Sequence, residues 1–292
     1  MKLNKTNLIL WSLVIFSVFI LLFSLIFSDK NTSRKGVKTA LLNNKYKDSL
    51  SEISISDNKG CVELKKINDI WFVINNNNKL PADSVKTEKF IGELLTLRNI
   101  YKISTSKNLN QFGLNSESSC IITYKTNENE TKLYFGNHDF SQSFRFFKTE
   151  KNLNIYEIDT KLDVYLNSSV QNWTEPYLIS KVINKDFSSD NVMRVFIQSD
   201  SGSKVYSDSN SEYVQKLSEL RHTGFITNES KNKTAAVKIE LGNKESLLIE
   251  IFSTEEDSEF NCYVSYYNSD NKLYLKTGQK ISSWTYNKLV LL

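Results

Sequence analysis

Two histidines, three cysteines and one acidic run are the residues whose types suggest chemistry in this chain. His138 stands in "GNHDFSQSF" beside Asp139, and His222 follows Leu220 and Arg221 at the end of an amphipathic stretch. A zinc site needs three or four ligands at recognisable spacing. Two distant histidines and the scattered Cys61, Cys120 and Cys262, with no C-x-x-C, do not supply it. His138 therefore reads as a surface turn, and His222 as the last turn of a helix, where the dipole favours it. The cysteines read as small buried hydrophobes, with a single disulfide left open should the domain lie outside the cytoplasm. Glu255, Glu256 and Asp257 with Glu259 lack the alternating ligands and central Gly of a calcium loop, and read as a solvated hairpin tip.

Nucleophile elbows, phosphate loops and G-x-G-x-x-G turns do not occur in the sequence. Gly113 and Gly136 are isolated, as turn glycines are. A glycosidase pair cannot be picked out of 33 acids by sequence. No catalytic, cofactor-binding or metal-ligating residue is assigned, and no cofactor is expected. Arg98 and Arg221 each follow the last apolar residue of a helical stripe, where they would complement the carboxyl end of a helix. A net charge of +4, from 37 Lys and Arg against 33 Asp and Glu, is too balanced for a nucleic-acid footprint. The 14 Tyr, 17 Phe and 4 Trp fall mostly in alternating runs, which suits core and cross-strand packing. An exposed aromatic face that docks a partner is the other reading.

The segment that would place these residues in a cell runs from Leu8 to Phe27 without a charge. At about 1.5 Å per residue it crosses a hydrocarbon core of roughly 30 Å. It is longer than the apolar region of a cleaved signal, so an uncleaved single-pass anchor is expected. Lys and Arg counts on its two flanks slightly favour a cytoplasmic bulk. The short tail before a long apolar run instead reads as a signal anchor, and export to the extracytoplasmic (periplasmic) side is the expectation.

Behind the anchor come alternating runs: "EISISD" (52–57), "CVELKKI" (61–67), "CIITYKT" (120–126), "TKLYFG" (131–136), "SFRFFK" (143–148) and "NIYEID" (154–159). Short polar connections make such neighbours pair antiparallel. "IWFVI" (70–74) is apolar on both faces. A helix follows Pro81, capped by Asp83 or Ser84, with Phe90, Ile91, Leu94 and Leu97 as its stripe. A short helix is expected at 160–167.

The second half repeats this order. "VMRVFIQSDSGSKVYS" (192–207) mirrors the first hairpin. "SEYVQKLSELRH" lays Tyr213, Val214, Leu217 and Leu220 on the first stripe, and Ser209 with Glu212 forms a capping box. "AVKIELGNKESLLIEIFS", "FNCYVSYY" and "NKLYLKT" mirror the remaining strands, "IWFVI" has no counterpart, and Trp173 and Trp284 close the two copies. The expected fold is α+β: an N-terminal transmembrane helix, then two tandem related domains, each a mostly antiparallel sheet with one main helix packed on it. The expected divisions are 1–28 (tail and anchor), 29–48 (a lead-in with weak helical spacing at Leu41, Leu42 and Tyr46), 49–182 and 190–292.

"LLNNKYKDSLSEISIS", "LPADSVKTEKFIGELLTLRNIYKISTSKNLNQFGLN" and "LYFGN…FRFFK…NIYEID…NW" resemble the domain-of-unknown-function family DUF4340 over about residues 40–175. The most specific pieces are the "AD…K…LL.LR" helix start and the "L..FGL" turn at Leu109, Phe112, Gly113 and Leu114; "NWTEP" at 172–176 departs from the family's pattern. The resemblance implies a single-anchor bacterial envelope protein. Its partners would be the permease and ATPase of a gliding-motility-type ABC transporter, in a non-enzymatic accessory role with no catalytic residue to carry over. The residues leave two other classes open: an envelope hydrolase with a site built from scattered residues, or a small-molecule-binding protein using the interdomain cleft.

Overall fold

Period-two spacing puts Ile53 and Ile55 in the core and leaves Ser54 and Ser56 half-exposed, and most strands of the chain follow that rule. In the computed structural model the described residues are 14, 16–18 and 36–290, except 76, 77, 106, 186, 188, 208–211, 228 and 257. They form two sheets, antiparallel at every pairing, and few helices, so the chain is β-rich.

The first sheet contains β1 (Val37–Thr39), β2 (Glu52–Asp57), β3 (Gly60–Ile67), β4 (Ile70–Asn75), β5 (Asn78–Pro81), β6 (Arg98–Ser104), β7 (Cys120–Lys125), β8 (Glu130–His138), β9 (Phe144–Thr149) and β10 (Ile155–Asp159). Their spatial order is β1-β6-β10-β9-β8-β7-β2-β3-β4-β5. The second contains β11 (Val192–Ser199), β12 (Gly202–Tyr206), β13 (Gly224–Phe225), β14 (Lys233–Leu241), β15 (Ser246–Ser253), β16 (Glu259–Tyr267) and β17 (Leu273–Ser282). Its order is β12-β11-β14-β15-β16-β17-β13. Set side by side, β3-β2-β7-β8-β9-β10-β6 and β12-β11-β14-β15-β16-β17-β13 are one arrangement traversed in one chain order. β1, β4 and β5 belong to the first sheet alone.

Helix α1 (Ser84–Leu95) starts where Asp83 accepts the Lys86 N–H at 3.0 Å. It buries Phe90, Ile91 and Leu94 against the first sheet. Leu97, expected in the same stripe, is 68% exposed, because the helix stops at Leu95 and Thr96 is already extended. The 160–167 segment is a 3-10 turn, Thr160–Tyr165, followed by the short α2 (Val170–Trp173). Helix α3 (Glu212–Leu217) buries Tyr213, Val214 and Leu217, and Ser209 of the expected capping box lies outside the described residues. Helix α4 (Ser283–Val290) starts directly after β17. Trp284 sits in its first turn and is exposed, whereas Trp173 is wholly buried, so the two tryptophans are not equivalent.

The lead-in is not an amphipathic helix. It holds β1 and a 3-10 turn at Asn44–Tyr46, and Leu41 and Leu42 enter the first core, with the Leu42 N–H bonded to the Leu94 carbonyl at 2.9 Å. The anchor expected over Leu8–Phe27 lies outside the described residues apart from Val14, Phe16, Ser17 and Val18, which are helical and exposed. Among the described residues no helix is long and apolar enough to cross a membrane.

Each sheet has its own apolar cluster, and the clusters exchange residues. Val73 of β4 points into the first core and Phe72 into the second, while Phe225 of β13 belongs to the first. That is why "IWFVI" is apolar on both faces: β4 is covered by one core on each side.

Candidate functional site at the junction of the two sheets

The segment after Trp173 is stitched to both sheets by backbone hydrogen bonds. Glu175 N–H donates to the Pro81 carbonyl at 2.9 Å, Leu178 N–H to Leu220 at 2.8 Å, and His222 N–H to Pro176 at 3.2 Å. Pro176 cannot donate, and here it supplies only its carbonyl. On the second-sheet side the Gln279 amide donates to the Leu178 carbonyl at 2.8 Å, and the Ser180 N–H to the Tyr266 hydroxyl at 3.1 Å.

Glu175 and His222 form the hub of this junction. The buried Glu175 carboxylate accepts from Ser180 Oγ at 2.5 Å and from the Lys181 N–H at 2.9 Å. Burial raises its pKa against the pull of those two donors. His222 Nε2 lies 2.6 Å from the Glu175 carbonyl, so that nitrogen carries the proton and donates it. Burial holds the His222 pKa below its usual value and favours the neutral ring, in which Nδ1 is a buried acceptor without a hydrogen bond among the described residues.

The two groups act oppositely on stability. His222, with a lowered pKa, stabilises above its ordinary pKa of 6.5, and that contribution is lost as pH falls. Glu175, with a raised pKa, contributes below its ordinary 4.5 and loses the contribution as pH rises through its folded value. The stability advantage of the native chain over His222→Gln should therefore shrink as pH is lowered from about 7.5 to about 5. Urea titrations at both pH values check this, and an advantage independent of pH refutes it.

Two open clefts flank the junction. One of about 530 Å³ is bordered by Trp71, Asp83, Glu88, Tyr177, Lys181 and Lys185. Lys181 Nζ sits 3.8 Å above the Tyr177 ring. The other, about 630 Å³, is bordered by Gln171, His222, Thr223, Phe225, Glu259 and Lys280, with Glu259 and Lys280 ion-paired across β16 and β17. Such mixed apolar and polar walls suit holding a polar ligand or a partner's side chains. Among the described residues no three His, Cys, Asp or Glu gather as a metal would need.

The other candidate residues are structural ties. His138 ends β8 rather than standing in a free turn, and its Nε2 meets the Asp163 carboxylate, which also lies 3.2 Å from Arg145 Nε. The group joins the β8–β9 hairpin to the 3-10 turn. His222 is outside α3, which ends at Leu217, so the helix dipole does not explain it. Arg98 does complement a helix end: its side chain donates to the Glu93 carbonyl at 3.0 and 3.3 Å. It is also buried between the Glu93 and Asp159 carboxylates. Arg221 is exposed and lies 5.7 Å from the Tyr177 ring centre, so the two arginines differ in role.

All three cysteines are free thiols. Cys61 on β3 and Cys120 on β7 stand on opposite sides of β2, about 10 Å apart by strand spacing, too far for a disulfide. Cys262 is in the other sheet. Cys120 and Cys262 are buried as expected, whereas Cys61 is exposed on β3; burial pushes the Cys120 thiol up to about 12 and raises Cys262 further, and desolvation, then the nearby Glu63 and Asp57 charges, raise Cys61. Thr254–Ser258 links β15 to β16 as a hairpin tip, with Asp257 outside the described residues, while Glu259 belongs to β16.

A family model described as a domain of unknown function, DUF4340, matches residues 71–240, more than half of the chain. The chain belongs to the DUF4340 family. No curated protein and no solved structure matches it. The DUF4340 match starts at β4 and runs through the junction into β14, so it lies further towards the carboxyl end than the 40–175 read from the motifs. The residues that carried the DUF4340 resemblance serve packing. Lys86 Nζ donates to the Asn172 carbonyl at 2.8 Å and lies 4.8 Å over the Trp173 ring, clamping α1 to the chain before the junction. In the "FGL" turn Gly113 has φ +64°, and the Phe112 carbonyl rests against the Cα of Gly136. A Cβ on Gly136 would overlap that oxygen and come within 3.0 Å of the Gly113 backbone. Gly136→Ala should therefore lower stability by about 2–3 kcal/mol, read as a shift of the urea midpoint; an unchanged midpoint would show that the turn moves freely.

Sequence reading missed the Glu175–His222 hub. The only signal for it was the departure of "NWTEP" from the family's pattern, which carries no hint of a partner 47 residues away.

Proposed function

We propose that this protein is a non-enzymatic, membrane-anchored accessory or scaffold subunit of a bacterial cell-envelope complex, with ABC-transporter permease and ATPase as partners. Its bulk lies on the extracytoplasmic side, held by residues 8–27. The chain is a tandem duplication of one α+β unit, with domains at about 49–182 and 190–292; the shared seven-strand order supports this. The carrying observation is the junction. Two sheets that exchange core residues through Phe72 and Phe225, and are stitched along 174–180, suit one fixed surface better than two hinged lobes. A fixed surface suits docking, since little conformational freedom is lost on binding. Purifying the full-length chain in mild detergent should bring the permease and ATPase with it. Recovery of the chain alone, with a bound metabolite, would sink the reading. A reporter enzyme active only outside the cytoplasm, fused at Leu292, tests the orientation.

One observation favours a second reading, a small-molecule-binding protein. The buried His222 Nδ1 acceptor has no hydrogen bond among the described residues, and His222 borders the 630 Å³ cleft, so a ligand that enters past the ring could supply the missing donor.

A further inference from the structure

A third cleft, of about 310 Å³, opens where the junction segment meets the ends of β15, β16 and β17. Three tyrosines border it, Tyr266 and Tyr267 of β16 and Tyr274 of β17, together with Ile183, Leu247 and Glu245. Strand register brings the rings together. Tyr266 faces Leu275 across the strands, but Tyr267 faces Leu273, so Tyr274 is the extra residue of a β-bulge. In a regular strand it would stand on the opposite face from Leu275, and so from Tyr266. The bulge re-aims it, and its ring centre lies 6.4 Å from that of Tyr266 with the planes at 69°. Tyr266 is 2% exposed and fixed in place, since its hydroxyl accepts the Ser180 N–H at 3.1 Å. Ile183 is tied to the same serine, its N–H donating to Ser180 Oγ at 3.1 Å. Tyr274 is 51% exposed, so part of its ring stays open to a ligand.

We propose that this cleft binds a small organic cation, a quaternary ammonium group, against the Tyr266 and Tyr274 rings with Glu245 as its counter-charge. The site goes beyond the docking role and does not rest on it. Aromatic rings attract cations through their quadrupole, most strongly where water is excluded. The wall carries charge of one sign: Glu245 borders the cleft and no Lys or Arg among the described residues does, although Lys185 and Lys244 adjoin wall residues in sequence. In the two clefts beside the junction, by contrast, Lys181 and Lys185 border one and Lys280 the other. Burial, and then the Glu245 carboxylate, raise the Tyr274 pKa, which agrees with that charge lying beside the ring. A fully methylated ammonium suits these walls better than a primary amine, because it brings no N–H donors that need partners. The volume lies at the small end of ligand pockets.

The test titrates the full-length chain, in maltoside micelles, with choline chloride by isothermal calorimetry. Binding is expected with a Kd of about 1 mM or below. The uncharged analogue with carbon in place of the nitrogen should bind about tenfold more weakly. Tyr274→Phe keeps the ring and should bind within about twofold, whereas Tyr274→Leu should weaken binding about fivefold and Glu245→Gln about threefold. Both positions are at least partly open to solvent, so these variants keep the fold. No heat at about 10 mM choline overturns the proposal. Equal binding of the uncharged analogue overturns it by making the cleft simply apolar, and unchanged binding by Tyr274→Leu overturns it by placing the cation elsewhere. Competition by a soluble short-chain phosphatidylcholine at lower concentration than choline keeps the proposal and makes a lipid headgroup the source; weaker competition keeps it with a free solute.

Discussion

Trp173→Ala is expected to lower the stability of the protein by about 3–5 kcal/mol, the largest effect of any single truncation considered. The indole is fully buried and edge-on to Phe90 at 5.3 Å, with Tyr165 close by at 6.2 Å. Its N–H donates to the Asn167 carbonyl at 3.1 Å, and Lys86 caps its face. Removing it opens a cavity and orphans a carbonyl at the point where the chain leaves the first sheet for the junction. Because the Asp83 N–H donates to the Trp173 carbonyl at 2.9 Å, the start of α1 should loosen with it. Urea unfolding followed by far-ultraviolet circular dichroism gives the size, and Trp173→Phe should recover part of the loss. A midpoint within about 0.5 kcal/mol of the native chain would show that the site collapses without a cavity, contrary to this account.

Arg98→Ala comes next, at about 3 kcal/mol. The guanidinium is 1% exposed, whereas its Glu93 and Asp159 partners are about a third exposed. The loss should therefore sit at the low end of values for broken buried pairs, since water can reach the orphaned carboxylates. The same side chain also satisfies the Glu93 carbonyl in the last turn of α1. Lysine keeps the charge but cannot span two carboxylates and a carbonyl from one planar fork, so Arg98→Lys should rescue less than half of the loss. Full rescue by lysine would mean that charge alone matters there. The matching Arg221→Ala, at an exposed position, should change stability by no more than about 0.5 kcal/mol. The comparison separates a shared sequence position from a shared role.

Much of the architecture was legible in the residues because strand periodicity is local. Ile53 and Ile55 in β2, and Val237, Ile239 and Leu241 in β14, are buried as alternation requires. The helix start at Asp83 was legible for the same reason, since a cap acts over three residues. Helix ends were not. Leu97 belongs to the stripe by spacing yet lies outside the helix, because β6 begins at Arg98 and draws the backbone into a sheet with β1 and β10. Trp284 matches Trp173 in sequence order yet is exposed, since α4 follows β17 with no intervening turn to fold it inward.

Sequence alone determined the β-rich body, the repeated order of elements, the balanced charge and the family. Each of these depends on periodicity or on motifs a few residues long. Only the tertiary structure decided that Phe72 and Phe225 cross between cores, that Glu175 and His222 meet and that the cysteines stand apart. Those facts depend on which distant segments share a sheet or a face. A chain's local spacing is silent on that choice, because a strand's pattern says which side is buried but not what buries it.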